Sequence, residues 1–383
     1  MSLKPSARLP WVDHLRTLVI LLVVNIHACV TYSHVGDWYS MSEHEPSMTQ
    51  KIPFIVWEAH LQSFFMGVLF FISGYFAAGS LQRKGSGGFI RERLVRLGLP
   101  TLLYMLVIHP FILLGLNPWH AKFPPVGEFY VRYLSKGTFL GESGPLWFAV
   151  ALLIFCLVLA AVWAARPSLS VAPRALQTRG TPPSGRSILM FGVALGFASA
   201  VTRLRFPIGT DFENLQLCFF PQYIAAFIVG VSAWRHGWLV PLAASPQAKW
   251  AGVIAVIGGP IVLLTLMLLG GRNGHEPFTG GWHWQAWGYA FWEQITGVGL
   301  ALGLMSLLSR RFNRDTVLLR WLSDRSFAVY VLHAPVLVAL MMMFRILPQN
   351  PYALSVLLTV TGLIMSYSLA DVVRRIPGLR GIL

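Results

Sequence analysis

Charge is what this 383-residue sequence has little of: 12% of its residues are Asp, Glu, Lys or Arg, against roughly a quarter in an ordinary soluble domain. That shortage excludes a typical cytosolic enzyme. Acidic residues are the scarcer sign, 15 against 30 basic ones, for a net charge of +15. The basic excess falls in short clusters between apolar runs and builds no basic domain or helix, which excludes a nucleic-acid partner. Cysteine is almost missing. Cys29, Cys156 and Cys218 lie in or beside apolar runs, and an odd number without ligand spacing gives neither a disulfide framework nor a metal centre. The alternating ten-residue strands of a membrane barrel are absent as well. No small-residue cleavage site follows the first apolar stretch, which opens on Asp13, His14 and Arg16, so that stretch is expected to stay as a helix.

What the sequence has is apolar length. Hydrophobic residues make up 55%, with 25 Phe, 14 Trp and 12 Met, and the mean hydropathy is +0.60. Ten segments approach the roughly 20 residues a helical crossing needs, at 15–32, 61–78, 97–116, 146–164, 187–201, 219–234, 251–270, 287–308, 327–344 and 352–370. In lipid each backbone amide must be satisfied internally, so the expected fold is an all-α polytopic bundle of about ten transmembrane helices. We read residues 1–383 as a single membrane-embedded domain, with a flexible cytoplasmic loop at about 165–186, rich in Pro, Ser, Gly and Arg. Alternating the gaps from a cytoplasmic N-terminus puts 22 of the 30 basic residues inside, for +17 inside against −2 outside. By the positive-inside rule both termini are then cytoplasmic. The surplus also favours contact with anionic membrane lipids.

Against that background, polar groups at membrane depth stand out. His27 follows Arg16 by eleven positions, which places both on one face of the first helix, roughly 16 Å apart along its axis. An intramembrane histidine faces protein or a wet cavity. It serves either as a helix–helix hydrogen bond or as an acid–base group near neutral pH. The second span carries Ser73, Gly74 and Tyr75 and runs toward the densest basic patch, Arg83-Lys84 and then Arg91, Arg93 and Arg96. Arginine forks suit phosphate oxygens, with lipid headgroups as the competing partner. Late in the chain Pro335 frees the carbonyl of Val331 one turn before it, beside His333. That histidine is either a structural hydrogen-bond donor to this carbonyl or part of a site. The long gaps after spans one and three hold Trp38, Tyr39, Trp57, Trp119, His120, Tyr130 and Tyr133, as an interfacial belt or as a stacking platform for a flat acceptor.

Taken in order, these motifs make the chain resemble the integral-membrane acyltransferase 3 family, which includes polysaccharide O-acetyltransferases and a periplasmic glucan succinyltransferase. The resemblance rests on Arg16 and His27 with ten residues between them, and on Phe70 through Tyr75. It also rests on Arg91, Arg93, Arg96, Leu97 and Pro100, on Leu146-Trp147-Phe148, and on Tyr330, His333 and Pro335. It covers nearly the whole chain. Thr17 stands where the family commonly has glycine.

The resemblance implies a membrane O-acyltransferase of the bacterial cytoplasmic (inner) membrane. Acetyl-CoA or succinyl-CoA would be the donor substrate, a carbohydrate or glycolipid of the envelope the acceptor, and no metal would take part. His27 and Arg16 would be catalytic. Arg91, Arg93 and Arg96 would bind donor phosphates, with Ser73, Tyr75 and His333 near the acyl-CoA. His27 would act as general base or as acyl-carrying nucleophile. A transporter of a small anionic or lipid-linked solute, or a non-catalytic membrane partner, would share the span pattern, although inverted repeats are not evident.

Overall fold

The computed structural model describes residues 9–116, 123–166 and 180–383. Most of the loop expected at 165–186, together with Trp119 and His120, lies outside the described residues. Among the described residues the chain is helical, and its β pairing is a lone bridge between Phe212 and Leu215. Among the described residues, nine helical runs are long and apolar enough to cross a membrane. They accommodate the ten expected segments because the second and third share one run, Met48–Leu116. Gly85 breaks that run with φ of +68° and ψ of 170°, a conformation that a side chain would resist.

The elements are α1 (Pro10–Ser33), α2 (Met48–Arg93), α3 (94–116), α4 (Val126–Ser135), α5 (Trp147–Ala165) and α6 (Gly185–Arg203). There follow α7 (Phe220–His236), α8 (Leu239–Ala244), α9 (Pro246–Gly270), α10 (Trp284–Arg311), α11 (Val317–Phe344) and α12 (Pro351–Val373). Helix α2 begins well before the expected 61 because Ser47 and Gln50 form a capping box. That extra length carries Trp57, Glu58 and His60 onto an ordered helix.

Helix α1 is the centre of the bundle and packs against α2, α10, α11 and α12. Leu15, Val19, Val24 and Ala28 are fully enclosed. Asn25 binds its neighbours, giving Nδ2–H to Thr359 Oγ1 at 3.1 Å and accepting Trp57 Nε1–H at 2.8 Å. Helices in lipid gain little from hydrophobicity and instead pack backbone to backbone through small residues. Gly74 of α2 lies against the carbonyl of Phe227, and Gly230 of α7 against that of Phe71. Gly252 and Gly303 meet where α9 crosses α10. A Cβ at any of these four would push the backbones apart.

Helix α3 is unusual. Wide π turns at Leu94–Gly98, Tyr104–Ile108 and Ile112–Leu116 alternate with short α turns around Pro100 and Pro110. Proline lacks an N–H and crowds the carbonyl four residues back, and a widened turn relieves both. Two of the loosened carbonyls are capped from α4: Tyr130 donates to Leu106 O at 3.1 Å and Tyr133 to Met105 O at 2.7 Å. These tyrosines, read from sequence as belt or platform, thereby hold α3 in shape.

The bundle has two chemically different ends. One holds Arg83, Lys84, Arg91, Arg93, Arg96, Arg310 and Arg311. There Asp371 of α12 accepts from Arg325 at 2.7 Å and Arg375 at 2.6 Å. The other end holds Asp37, Glu142, Asp211 and Glu213. If the basic end is cytoplasmic, a cysteine replacing exposed Ser184 should react with an impermeant maleimide only after the membrane is opened. One replacing exposed His44 should react in intact cells. The native cysteines are buried and provide a silent background. Labelling of both sites from outside would refute this orientation.

Candidate active site

At the acidic end the helices part around a cavity of about 650 Å³. Its wall is drawn from one end of each contributing helix: His27 of α1, Glu58 and Gln62 of α2, His109 of α3, Trp147 of α5, Tyr223 of α7, Tyr289 of α10 and Tyr330 of α11. Loop residues Asp37, Trp38, Tyr39, Glu142 and Asn214 complete it. Among the described residues, the wall contains three carboxylates and no lysine or arginine.

The chemistry is fixed by a hydrogen-bond chain behind His27. His333 Nδ1 lies 2.7 Å from the carbonyl of Tyr330, and a carbonyl only accepts, so Nδ1 carries the proton. In the neutral ring His333 Nε2 is then a bare acceptor. It lies 3.0 Å from His27 Nδ1, which must therefore donate. The proton on Nδ1 leaves His27 Nε2 with a free lone pair. A basic nitrogen thus stands at the wall of an open cavity, its tautomer set by a second histidine that is 0% exposed. Trp38 covers one face of His27, with ring centroids 3.8 Å apart and planes 16° from parallel. An imidazolium at this position would lie on the π face of Trp38.

The other sequence-selected residues lie elsewhere. Arg16 is exposed at the opposite end of α1, with Nη2 3.8 Å from Asp13 Oδ1. Tyr75 borders a tight cleft at the basic end with Trp11, Val12 and Leu15, and half-buried Ser73 borders neither that cleft nor the cavity. Arg91 and Arg96 are exposed. Glu92 holds Lys84 at 2.8 Å and Arg96 at 3.6 Å, while the Arg93 guanidinium lies 5.0 Å over Phe89. His333 sits behind His27, outside the cavity wall, and bonds the carbonyl of Tyr330 and not that of Val331. The structure therefore brings His27 and His333 together and keeps Arg16, Ser73, Tyr75, Arg91, Arg93 and Arg96 at the other end.

Between the two ends lies Phe70, fully buried. Its ring centroid is 4.7 Å from that of Phe148, 4.9 Å from Tyr223 and 5.1 Å from Phe155. Of these rings, Tyr223 lines the cavity.

Several groups at the cavity were not among the catalytic or cofactor-binding residues expected from sequence. Glu58, 6% exposed, accepts from Ser33 Oγ at 2.9 Å, and Val35 N–H is bonded to the same hydroxyl at 3.0 Å. Tyr39 Oη lies 3.0 Å from Tyr104 Oη and 2.9 Å from His109 Nδ1. His109 Nε2 lies 3.1 Å from Glu142 Oε2. Burial, with Asp211 and Glu213 nearby, pushes the Glu142 carboxyl above its ordinary pKa. Gly144, at φ of +50°, leaves room for the hydroxyls of Tyr39 and Tyr104, and the next carbonyl, Pro145 O, accepts from Tyr330 Oη. Behind the wall residues Phe219 and Tyr289, Arg203 Nη2 donates to Glu293 Oε2 at 2.5 Å. This pair is 0% and 1% exposed, and removing one member of such a pair costs about 3–5 kcal/mol. Gln294 donates to the same carboxylate at 2.9 Å and accepts from Gln222 at 2.9 Å. The one sequence signal for these groups was their polarity close to span ends.

The described chain is thus a polytopic helical bundle with a paired histidine at an open cavity. Residues 9–374 match the acyltransferase domain family, and the chain belongs to it. Among curated proteins it is similar to Glucans biosynthesis protein C of Salmonella gallinarum, 24% identical over 352 residues, covering 88% of this chain and 84% of that protein. The protein of the same name from Salmonella agona is 23% identical over 350 residues, with the same two shares. No solved structure matches at a significant level. The chain is thus a multi-pass membrane O-acyltransferase.

Because His333 sets the His27 tautomer, His333→Ala should lower kcat for acyl transfer about 10–100-fold, the range seen when a partner orienting a reactive histidine is lost. His333→Asn, whose amide oxygen also accepts from His27 Nδ1, should recover part of the rate. Equal rates for wild type and His333→Ala at equal melting temperature would assign His333 to packing alone.

Proposed function

We propose that this protein moves an acetyl or succinyl group from cytoplasmic acyl-CoA to a hydroxyl of a carbohydrate on the outer side of the bacterial inner membrane. The observation that carries this reading is the bare Nε2 of His27 on a cavity wall that, among the described residues, has carboxylates and aromatic rings but no lysine or arginine. A hydroxyl-rich acceptor suits such a wall: carboxylates and amides accept and donate to its hydroxyls, and Trp147, Tyr223 and Tyr289 offer ring faces. The name of the similar Salmonella proteins, Glucans biosynthesis protein C, supports a glucan as the acceptor class.

The donor fits the other end. Coenzyme A is polyanionic, and Arg91, Arg93 and Arg96 supply guanidinium groups for its phosphates at the basic end. Arg16 at the foot of α1, with Ser73 and Tyr75 on α2, lies along the course of its pantetheine arm. To bring the thioester to His27, that arm passes the Phe70 layer, whose rings must part. His27 Nε2 then takes the proton of the acceptor hydroxyl as its oxygen attacks the thioester carbonyl. The imidazolium is held by the hydrogen bond to His333 and the face of Trp38, and it returns the proton to the departing thiolate. Direct transfer is the reading favoured over an acyl-histidine, because the cavity has room for the acceptor beside Nε2.

The test is thioester consumption by purified protein in lipid nanodiscs, with labelled acetyl-CoA and succinyl-CoA and a glucan oligosaccharide. His27→Ala and His27→Asn should both lose about 10²–10⁴-fold in kcat at unchanged melting temperature. Replacing Arg91 and Arg96 with Gln should raise KM for acyl-CoA about five-fold per charge, the equivalent of about 1 kcal/mol each, with little change for the glucan. Native turnover by His27→Asn would remove His27 from the chemistry.

A further inference from the structure

Acyl transfer through a tetrahedral intermediate needs a donor for the carbonyl oxygen as well as a base for the hydroxyl, and His27 supplies only the base. Among the described residues, the wall of the cavity has no lysine or arginine to serve. It does have the hydroxyl of Tyr39, which reaches the wall through a chain from three separate segments: the loop after α1, the π turn of α3, and the turn before α5.

The proton directions in that chain are constrained. Tyr104 is fully buried, and Tyr39 Oη is its hydrogen-bond partner among the described residues, so the Tyr104 O–H donates to Tyr39. His109 stands between Tyr39 at 2.9 Å and Glu142 at 3.1 Å. When the Glu142 carboxyl, raised by burial, holds the proton of this contact, it donates to Nε2 of a neutral His109, and the ring's own proton on Nδ1 donates to Tyr39 Oη. The Tyr39 oxygen then receives two hydrogen bonds, and its own proton is left to point into the cavity. A phenol loaded in this way is a stronger donor than a free one, because both bonds stabilise the charge that builds on its oxygen. The position is also fixed on the His27 side. Trp38, next in sequence, stacks on His27. The Gly144–Pro145 turn against the Tyr39 hydroxyl is held by Tyr330, whose carbonyl anchors His333.

We propose that Tyr39 is the oxyanion donor of this enzyme, a catalytic residue whose hydroxyl binds the thioester carbonyl oxygen while Tyr104, His109 and Glu142 polarise it. As the acceptor oxygen bonds to the carbonyl carbon, its proton passes to His27 and the C=O electron pair moves onto the oxygen facing Tyr39. When that pair returns, the C–S bond breaks and the thiolate takes the proton from His27. Tyr39 ends the cycle with its own proton. The proposal rests on the acyl-transfer reading above.

The experiment measures kcat and KM for acyl-CoA and glucan with Tyr39→Phe, Glu142→Gln and 3-fluorotyrosine placed at position 39, beside His27→Ala. Tyr39→Phe should lower kcat about 10²–10³-fold with both KM values within about three-fold, the loss seen when one oxyanion donor is removed. Glu142→Gln should lower kcat to a smaller extent. Fluorotyrosine keeps the ring and its contacts while making the hydroxyl a stronger donor, so it should raise kcat with no shift in melting temperature. An unchanged kcat with fluorotyrosine, or a Tyr39→Phe rate within three-fold of wild type, would overturn the role of Tyr39 if His27→Ala is inactive. Wild-type turnover by His27→Ala, or no thioester consumption by the wild type, would overturn the acyl-transfer reading itself.

Discussion

The hydrogen bond from His27 to His333 is the contact on which the functional geometry depends. A histidine in an apolar helix has two tautomers and several rotamers, and only one combination turns a bare Nε2 to the cavity. The carbonyl of Tyr330 removes that freedom by claiming the Nδ1 proton of His333, and the choice passes to His27. In serine hydrolases a buried carboxylate orients the base histidine in a similar way. Here a neutral ring does so, which avoids burying a charge at membrane depth, where an unpaired ion is costly.

The rest of the bundle serves to hold α1 and α11 in register. Glycine contacts at α2–α7 and α9–α10 bring backbones together where lipid offers no hydrophobic drive. Asn25, which neighbours His27 in sequence, faces away from it and ties α1 to α2 and α12. The Arg203–Glu293 pair stiffens the opposite wall through the rings of Phe219 and Tyr289. Along the bundle, Arg83, Lys84, Arg91, Arg93 and Arg96 lie at one end, and the carboxylates of the cavity wall, Asp37, Glu58 and Glu142, lie at the other. Between the ends Phe70 packs against Phe148, Phe155 and Tyr223.

Much of this was legible in the sequence because lipid reduces the choices: apolar length gives the spans and Lys/Arg placement suggests their direction. His27 was legible because a histidine is out of place at that depth. The pairing with His333 was not, since 306 residues separate the two and neither position carries a spacing signal for the other. His109 and Glu142 were missed for the same reason, and Tyr39 was read only as an interfacial belt or stacking residue, because an interfacial tyrosine reads as a membrane anchor. The start of α2 was placed too late because its first turns are less apolar than its middle, although Ser47 and Gln50 carry the capping signal. The join of the second and third spans into one run turns on Gly85, whose φ no hydropathy pattern reports.

The most direct test of the central geometry is nitrogen NMR of protein labelled at histidine and reconstituted in bilayers, with His27→Asn and His333→Asn used to assign the signals. The expected result at neutral pH is His27 protonated at Nδ1 and bare at Nε2, with a coupling across the hydrogen bond to His333 Nε2. A His27 ring protonated at Nε2, or one whose signal is unchanged by His333→Asn, would contradict it.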